Sequence, residues 1–218
     1  MNMIEVVKNR YATKHFDASQ TIPDETFEQI KALLRFSPSS VNSQPWHFII
    51  GHTPEARQRL TAGTQGAFVF NSAKVLDASH VILFCAKTDI DDDYLQALLE
   101  LEEQAGRFAD PSFKETVHAG RLKFVNMHRY DLKDAQHWME KQLYLNMGTV
   151  LLGAGALGID AVPLEGVDTK ALNDEFGLIE QGYTAVAMVS LGYRAETDFN
   201  AALPKARRSE DEIFTLLS

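Results

Sequence analysis

The chain has 218 residues, long enough for one large core, and its 45% apolar and 23% charged residues exclude a disordered polymer. A formal net charge of −9 argues against a surface for duplex nucleic acid, which needs a basic stripe. The single cysteine, Cys85, excludes an intramolecular disulfide and fits a reducing cytoplasm. The opening MNMIEVVKNR has neither the basic start nor the apolar stretch of a signal peptide. No linker or repeat divides the sequence, so residues 1–218 read as one domain. In chain order, residues 3–9 form a short helix that ends at the polar run NRYATKHFD. Pro23, with Asp24 and Glu25 behind it, opens a second helix, because proline gives up no needed N–H there and the acids oppose the positive helix end. That helix turns Phe27, Ile30, Leu33 and Leu34 inward and stops before Pro38. HFIIG is a strand, PEARQRLTA a helix and SHVILFCA a buried strand. Helices follow over 92–105, 112–130 and 134–157. IDAVP is a strand, 168–176 a short helix, YTAVAMVSLGY the last strong strand, and 198–218 a tail of mixed polarity ending in IFTLL. Helices and strands interleave, so the class is mixed α and β.

The most apolar stretch, LYLNMGTVLLGAGALGI (143–159), is too short and too polar to span a bilayer and reads as a buried helix. Leu143, Leu145, Met147, Val150, Leu151 and Leu152 cover most of its circumference, which predicts protein on every side and a partner subunit as one wall. Within it GAGALG matches G-x-G-x-x-G, but a helix precedes the glycines and a strand follows, the reverse of a dinucleotide fingerprint. Gly158 reads as a helix stop, and Gly153 and Gly155 as sites of close packing. HRYDLK has no glycine-rich loop or D-F-G to accompany it and reads as helix-end packing. His118, His128 and His137 lack metal-ligand spacing, so no metal is expected. Cys85 within VILFCA is a small buried hydrophobe.

Three polar clusters remain. Arg10 and Lys14 flank a helix end, while Lys205, Arg207 and Arg208 follow Pro204. Ser39, Ser40, Asn42 and Gln44 crowd the stretch PSSVNSQPWHF between a helix and a strand. Charged surface is the default explanation for each. Two compact basic knots in an acidic protein also suit a small dianion, since paired cations and hydroxyls are what a phosphate monoester needs.

Taken together, RYATKHFD, FSPSSVNSQPWHF, FNSAKVLDASH, GRFAD, MEKQLYLNMG, DAVPLEG, FGL…GY and DFNAALPKAR resemble the FMN-dependent nitroreductase family, in particular its oxygen-insensitive NAD(P)H-dependent branch, which is also described as dihydropteridine reductase. Each motif is weak, but together they run in order along essentially the whole chain. The resemblance implies an α+β nitroreductase-like fold, a central, mostly antiparallel sheet flanked by helices. It also implies an intimate homodimer with tightly bound FMN at two interface sites. Arg10, Lys205 and Arg207 would grip the FMN phosphate, with Tyr11, Ala12, Thr13 and Ala206 in the same segments. Lys14, Asn71 and Lys74 would face the pyrimidine edge, and Pro163, Leu164, Glu165 and Gly166 would lie along the ring. Pro38, Ser39, Ser40 and Asn42, with Gln142, would come from the other subunit. Val41, Phe68, Phe70 and Phe124 would cover the open face, where Lys14, Asn71 and Arg107 would help hold NAD(P)H.

No side chain need act as a nucleophile, because the cofactor carries the electrons. Lys14 and Lys74 would stabilise the anionic reduced flavin. The expected activity is two-electron, ping-pong transfer from NAD(P)H to nitroaromatics, quinones or related acceptors. Two alternatives are an NAD(P)H:flavin reductase and a non-catalytic anion-binding dimer. The chain departs from the family pattern at Ala12, where Ser is usual, and Val41 and Phe68 replace more polar residues, which implies a greasier pocket.

Overall fold

The computed structural model describes residues 2–217. At the centre is an antiparallel sheet of four strands in the order β1-β2-β4-β3, with β1 Trp46–Gly51, β2 His80–Lys87, β3 Asp160–Leu164 and β4 Tyr183–Gly192. β2 and β4 read as near-continuous apolar runs because both faces are covered, as a two-sided sheet requires. One face carries Ile82, Phe84, Ala86, Ala187, Val189 and Leu191 against α2 (Asp24–Arg35) and α7 (Ala135–Ala156). Val81, Leu83, Cys85, Val162, Leu164 and Met188 on the other face pack with Leu60, Val75 and Leu172. Those three come from α3 (Pro54–Leu60), α4 (Ser72–Leu76) and α8 (Thr169–Phe176). A third cluster of Ile90, Leu95, Leu98, Val125, Trp138 and Met139 ties α5 (Asp92–Gln104) and α6 (Pro111–Asn126) to the start of α7. α1 (Met3–Asn9) and α9 (Glu210–Ile213) lie near the two chain ends.

The ends of these elements follow from particular residues. α2 begins behind Pro23, has Asp24 and Glu25 in its first turn, and ends at Arg35, before Pro38. α7 ends at Ala156, and Gly158 takes φ +75°, the left-handed stop expected of it. A Cβ on Gly153 would sit 2.1 Å from Leu33 Cδ1, and one on Gly155 would sit 3.2 Å from Arg10 Cβ. These glycines let α2 and the end of α1 close onto α7. The helix runs into GAGALG and β3 follows, so no phosphate can meet a helix N-terminus there. The HRYDLK segment winds as a π-turn over Met127–Asp131, where the expected helix would have continued regularly. His128 stacks on Trp138 with ring centroids 4.6 Å apart and bonds Asp134 at 2.6 Å, the helix-end packing predicted for it. Among the described residues no group of three or more His, Cys, Asp or Glu could hold a metal, and no helix is long and apolar enough to cross a membrane.

Candidate functional site

The first basic knot closes around the end of α1. Lys205 Nζ donates to Val7 O at 2.7 Å and also to Arg10 O. Arg10, Tyr11, Ala12, Asn200, Lys205, Ala206 and Arg207 share a cleft of 530 Å³. Burial pushes the Lys205 ammonium below its ordinary pKa, and the charges of Arg10 and Arg207 push it further. The cleft is held by a residue that sequence reading did not single out. Buried Asp198 accepts from Tyr11 OH at 2.8 Å, Lys14 N at 3.3 Å and Asn200 N at 3.2 Å. Asn200 in turn donates to Ala12 O at 2.8 Å. Burial, and then the bond to Asp198, pushes the Tyr11 hydroxyl up to about 12. The signal was the D-x-N pattern of DFN, which suits a side chain that caps its own turn. Thr13 is fully buried, its hydroxyl without a hydrogen-bond partner.

Lys14 leads into the second group. Lys74 Nζ donates to Asn71 Oδ1 at 2.7 Å and to Phe70 O at 3.0 Å, and Asn71 Nδ2 donates to Gly166 O at 2.9 Å. Burial lowers the Lys74 pKa, and the nearby Lys14 charge lowers it further. A Cβ on Gly166 would lie 3.1 Å from Asn71 Nδ2, 3.2 Å from Phe70 Cζ and 3.5 Å from Phe68 Cδ1. The segment after β3 and the Phe68–Lys74 stretch therefore form one surface, and Gly166 permits the close approach. Leu164 is buried in the core, at the last register pair of β3 with β4. Glu165 Oε1 accepts from Tyr144 OH at 2.6 Å, a partner that sequence reading also missed. Burial and that bond raise the Tyr144 hydroxyl to about 12.

The third group is the Ser39–Gln44 loop. Val41, Asn42 and Gln44 hold φ of 48°, 53° and 43°, a left-handed conformation costing about 1–3 kcal/mol at each non-glycine position. Ser40 N donates to Gln142 Oε1 at 2.9 Å, and Gln44 N to Ser39 Oγ at 3.0 Å. Asn42 Nδ2 donates to Glu102 Oε1 at 2.7 Å, and Arg121 Nε to Val41 O at 3.1 Å. Beside the loop, Val41, Asn42, Arg107 and Phe124 line a cavity of 380 Å³. Phe124 projects half-exposed from α6 and is one of the side chains lining that cavity.

The chain thus brings the Arg10–Lys14, Phe68–Lys74, Pro163–Gly166 and Lys205–Arg207 segments together. Among the described residues no hydrogen bond or ion pair joins the Ser39–Gln44 loop or Gln142 to them. The cations themselves share a property. Arg10, Lys14, Lys74, Lys205 and Arg207 form no ion pair among the described residues, although acidic side chains outnumber basic ones 30 to 21.

A family model described as "Nitroreductase family" matches residues 7–193. The chain belongs to the nitroreductase family. It is 51% identical to the oxygen-insensitive NAD(P)H nitroreductase of Enterobacter cloacae, with 99% of each chain covered. It is 32% identical to the major NAD(P)H-flavin oxidoreductase of Aliivibrio fischeri, covering 99% of this chain and 98% of that one. A nitroreductase-type protein of Exiguobacterium sibiricum, solved in complex with FMN, superposes with a TM-score of 0.81 at 24% identity, covering 100% of this chain and 98% of that one. At that identity the superposition speaks for the nitroreductase fold.

Proposed function

We propose that this nitroreductase is an FMN-dependent NAD(P)H oxidoreductase that reduces nitroaromatics, quinones or related acceptors. The observation that carries the reading is two groups of crowded cations, Arg10 with Lys205 and Arg207 around one cleft and Lys14 with Lys74, none of them in an ion pair among the described residues. Lys205 is depressed by Arg10 and Arg207, and Lys74 by Lys14. Like charges gathered this way await an anion, and the phosphate of FMN together with its electron-rich pyrimidine edge supplies one at each end. Arg10, Lys205 and Arg207 hold the phosphate, with the Tyr11–Ala206 neighbourhood as cradle. Lys14, Asn71 and Lys74 would hold the ring's pyrimidine edge, with the backbone of Pro163–Gly166 as a further support for the ring.

When bound, FMN would supply two-electron chemistry between NAD(P)H and the acceptor. The protein's part is position and field. Lys74, fixed by Asn71 Oδ1 and the Phe70 carbonyl, and Lys14 near it would put positive charge where negative charge accumulates. Phe68 and Phe70 beside Gly166, together with Val41 and Phe124 of the other cavity, would cover the remaining face once the site is assembled, and Arg107 would help anchor the nicotinamide nucleotide. If only one face of the cofactor is open, donor and acceptor would have to alternate there, which is ping-pong kinetics.

The working unit is a homodimer whose Pro38–Asn42 loop and Gln142 complete the neighbour's site. That no hydrogen bond or ion pair joins them to the rest of the site within one chain, among the described residues, supports this. So does the apolar surface left open: Met3, Ile4 and Val7 of α1, Tyr144 and Leu145 of α7, and Leu216 and Leu217 of the tail. A cytoplasmic setting accords with the lone, buried thiol of Cys85, which burial pushes up to about 12. The test is a visible spectrum of the purified protein. It should be yellow, bleach with NADH or NADPH in the absence of oxygen, and recover on addition of a nitroaromatic or quinone. Colourless protein that FMN cannot reconstitute would reject the proposal. The flavin oxidoreductase among the relatives favours one second reading, in which free FMN is the acceptor; steady-state rates with FMN as titrated substrate separate the two.

A further inference from the structure

We propose that Glu102 and Arg121 are positioning residues that lock the Ser39–Gln44 loop in the shape in which it meets the flavin. The proposal rests on the flavin reading above. The two side chains come from different helices, Glu102 from α5 and Arg121 from α6, and are 3% and 2% exposed. Arg121 Nη2 donates to Glu102 Oε2 at 2.5 Å, while Arg121 Nε donates to the Val41 carbonyl at 3.1 Å. The other oxygen of the same carboxylate, Oε1, accepts from Asn42 Nδ2 at 2.7 Å. The links close a ring from Val41 O through Arg121 and Glu102 to the side chain of Asn42.

That ring grips the two consecutive residues whose backbone is left-handed without being glycine. A β-branched residue such as Val41 takes that conformation only where its surroundings dictate it. The arrangement is poorly explained as a device for stability. A buried ion pair seldom gains more than an apolar pair of the same volume would, and Arg121 Nη1 is left buried without a partner. Two of the three guanidinium nitrogens are used, one on the loop and one on the carboxylate that also holds the loop. Arg107 Nε lies 3.9 Å from Glu102 Oε1, so the same carboxylate borders the cavity lined by Val41 and Phe124.

A double substitution separates positioning from stability. Glu102→Leu with Arg121→Met removes both charges together, so neither is left unpaired in the interior, but it also removes both anchors of the loop. We expect the thermal midpoint to stay near that of the parent. The FMN dissociation constant, read by flavin fluorescence on reconstituting the apoprotein, should rise about tenfold. Amide hydrogen exchange at residues 40–44 should quicken. Arg121→Lys keeps a charge opposite Glu102 but loses the planar fork that reaches Val41 O, and should show the same two losses. Parent-like FMN affinity together with parent-like protection of 40–44 in the double variant overturns the proposal. If the double variant does not fold, that same pair of results in Arg121→Lys overturns it. A parent protein that binds no FMN defeats the functional reading alone, because loop exchange in the variants still decides the role of the pair.

Discussion

Ala12 lines the cleft of Arg10, Lys205 and Arg207, and its carbonyl is already taken by Asn200, so its methyl marks a place where a hydroxyl could be added. A hydrogen bond to a charged group is worth about 1.5–3 kcal/mol net, so Ala12→Ser should tighten FMN binding at least about tenfold. Fluorescence titration of the apoprotein checks this, and unchanged or weaker binding would mean that the phosphate is already saturated. Lys205 gives a second outcome at this scale. Its pKa is depressed by burial and by Arg10 and Arg207, and a bound phosphate would raise it again. FMN binding should therefore take up a proton at alkaline pH, and affinity should fall as pH rises through the lowered Lys205 value. Calorimetry in two buffers of different ionisation enthalpy reads the proton count; no uptake would place the phosphate away from Lys205. Lys205 and Arg10 are 195 positions apart, so no spacing rule could have joined them; composition suggested only that the basic knots suit a dianion, and the resemblance supplied the FMN phosphate as their shared role. Glu102 and Arg121 carried no signal at all, since charged residues on helices read as solvated surface until burial is known.

His80 begins β2 and couples it to α2, stacking on Phe27 with ring centroids 3.9 Å apart and sharing a 2.9 Å hydrogen bond with Ser79 Oγ. Burial lowers its pKa to about 4, helped by His52 and Arg57 against the opposing pull of Asp24. The unfolded chain protonates this imidazole near its ordinary value of 6.5, whereas the folded chain keeps it neutral until about 4. The stabilisation is complete above the unfolded value and is lost as pH falls between the two. The loss amounts to about 3 kcal/mol. Urea unfolding at neutral and mildly acidic pH should show that slope in the parent and a flatter one in His80→Phe; equal slopes would place the acid sensitivity elsewhere. Elements such as β2 and α2 were legible because each carries its own signal, an unbroken apolar run in one and flanking prolines with an inward stripe in the other. α4, with five residues, has too few turns for a helical repeat to show in the sequence. The π-turn over Met127–Asp131 repeats the helical composition before it, so its change of winding left no trace in the sequence.

The four-stranded sheet and its covering helices bury a core of ordinary kind, yet the protomer leaves an apolar stripe open on α7. Leu145 is 49% exposed and exposed Gly148 follows one turn on, with half-buried Thr149 and Leu152 continuing the same face. A Cβ on Gly148 would meet nothing within 4 Å, so the protomer itself gives no reason for a glycine, which costs a helix interior about 1 kcal/mol relative to alanine. A second copy of α7 packed along this stripe would supply the reason. Assembly and cofactor would then be linked, because in the proposed arrangement the loop that completes each flavin site comes from the other copy. Leu145→Glu places a charge on the stripe, and in a solitary protomer it would cost little, since the position is half in water. In the dimer that charge would be desolvated without a partner. The variant should therefore sediment as a monomer at concentrations where the parent is a dimer, and should release FMN on dilution while its far-ultraviolet dichroism stays unchanged. A Leu145→Glu protein that remains dimeric and yellow would mean that the partner sits on another face.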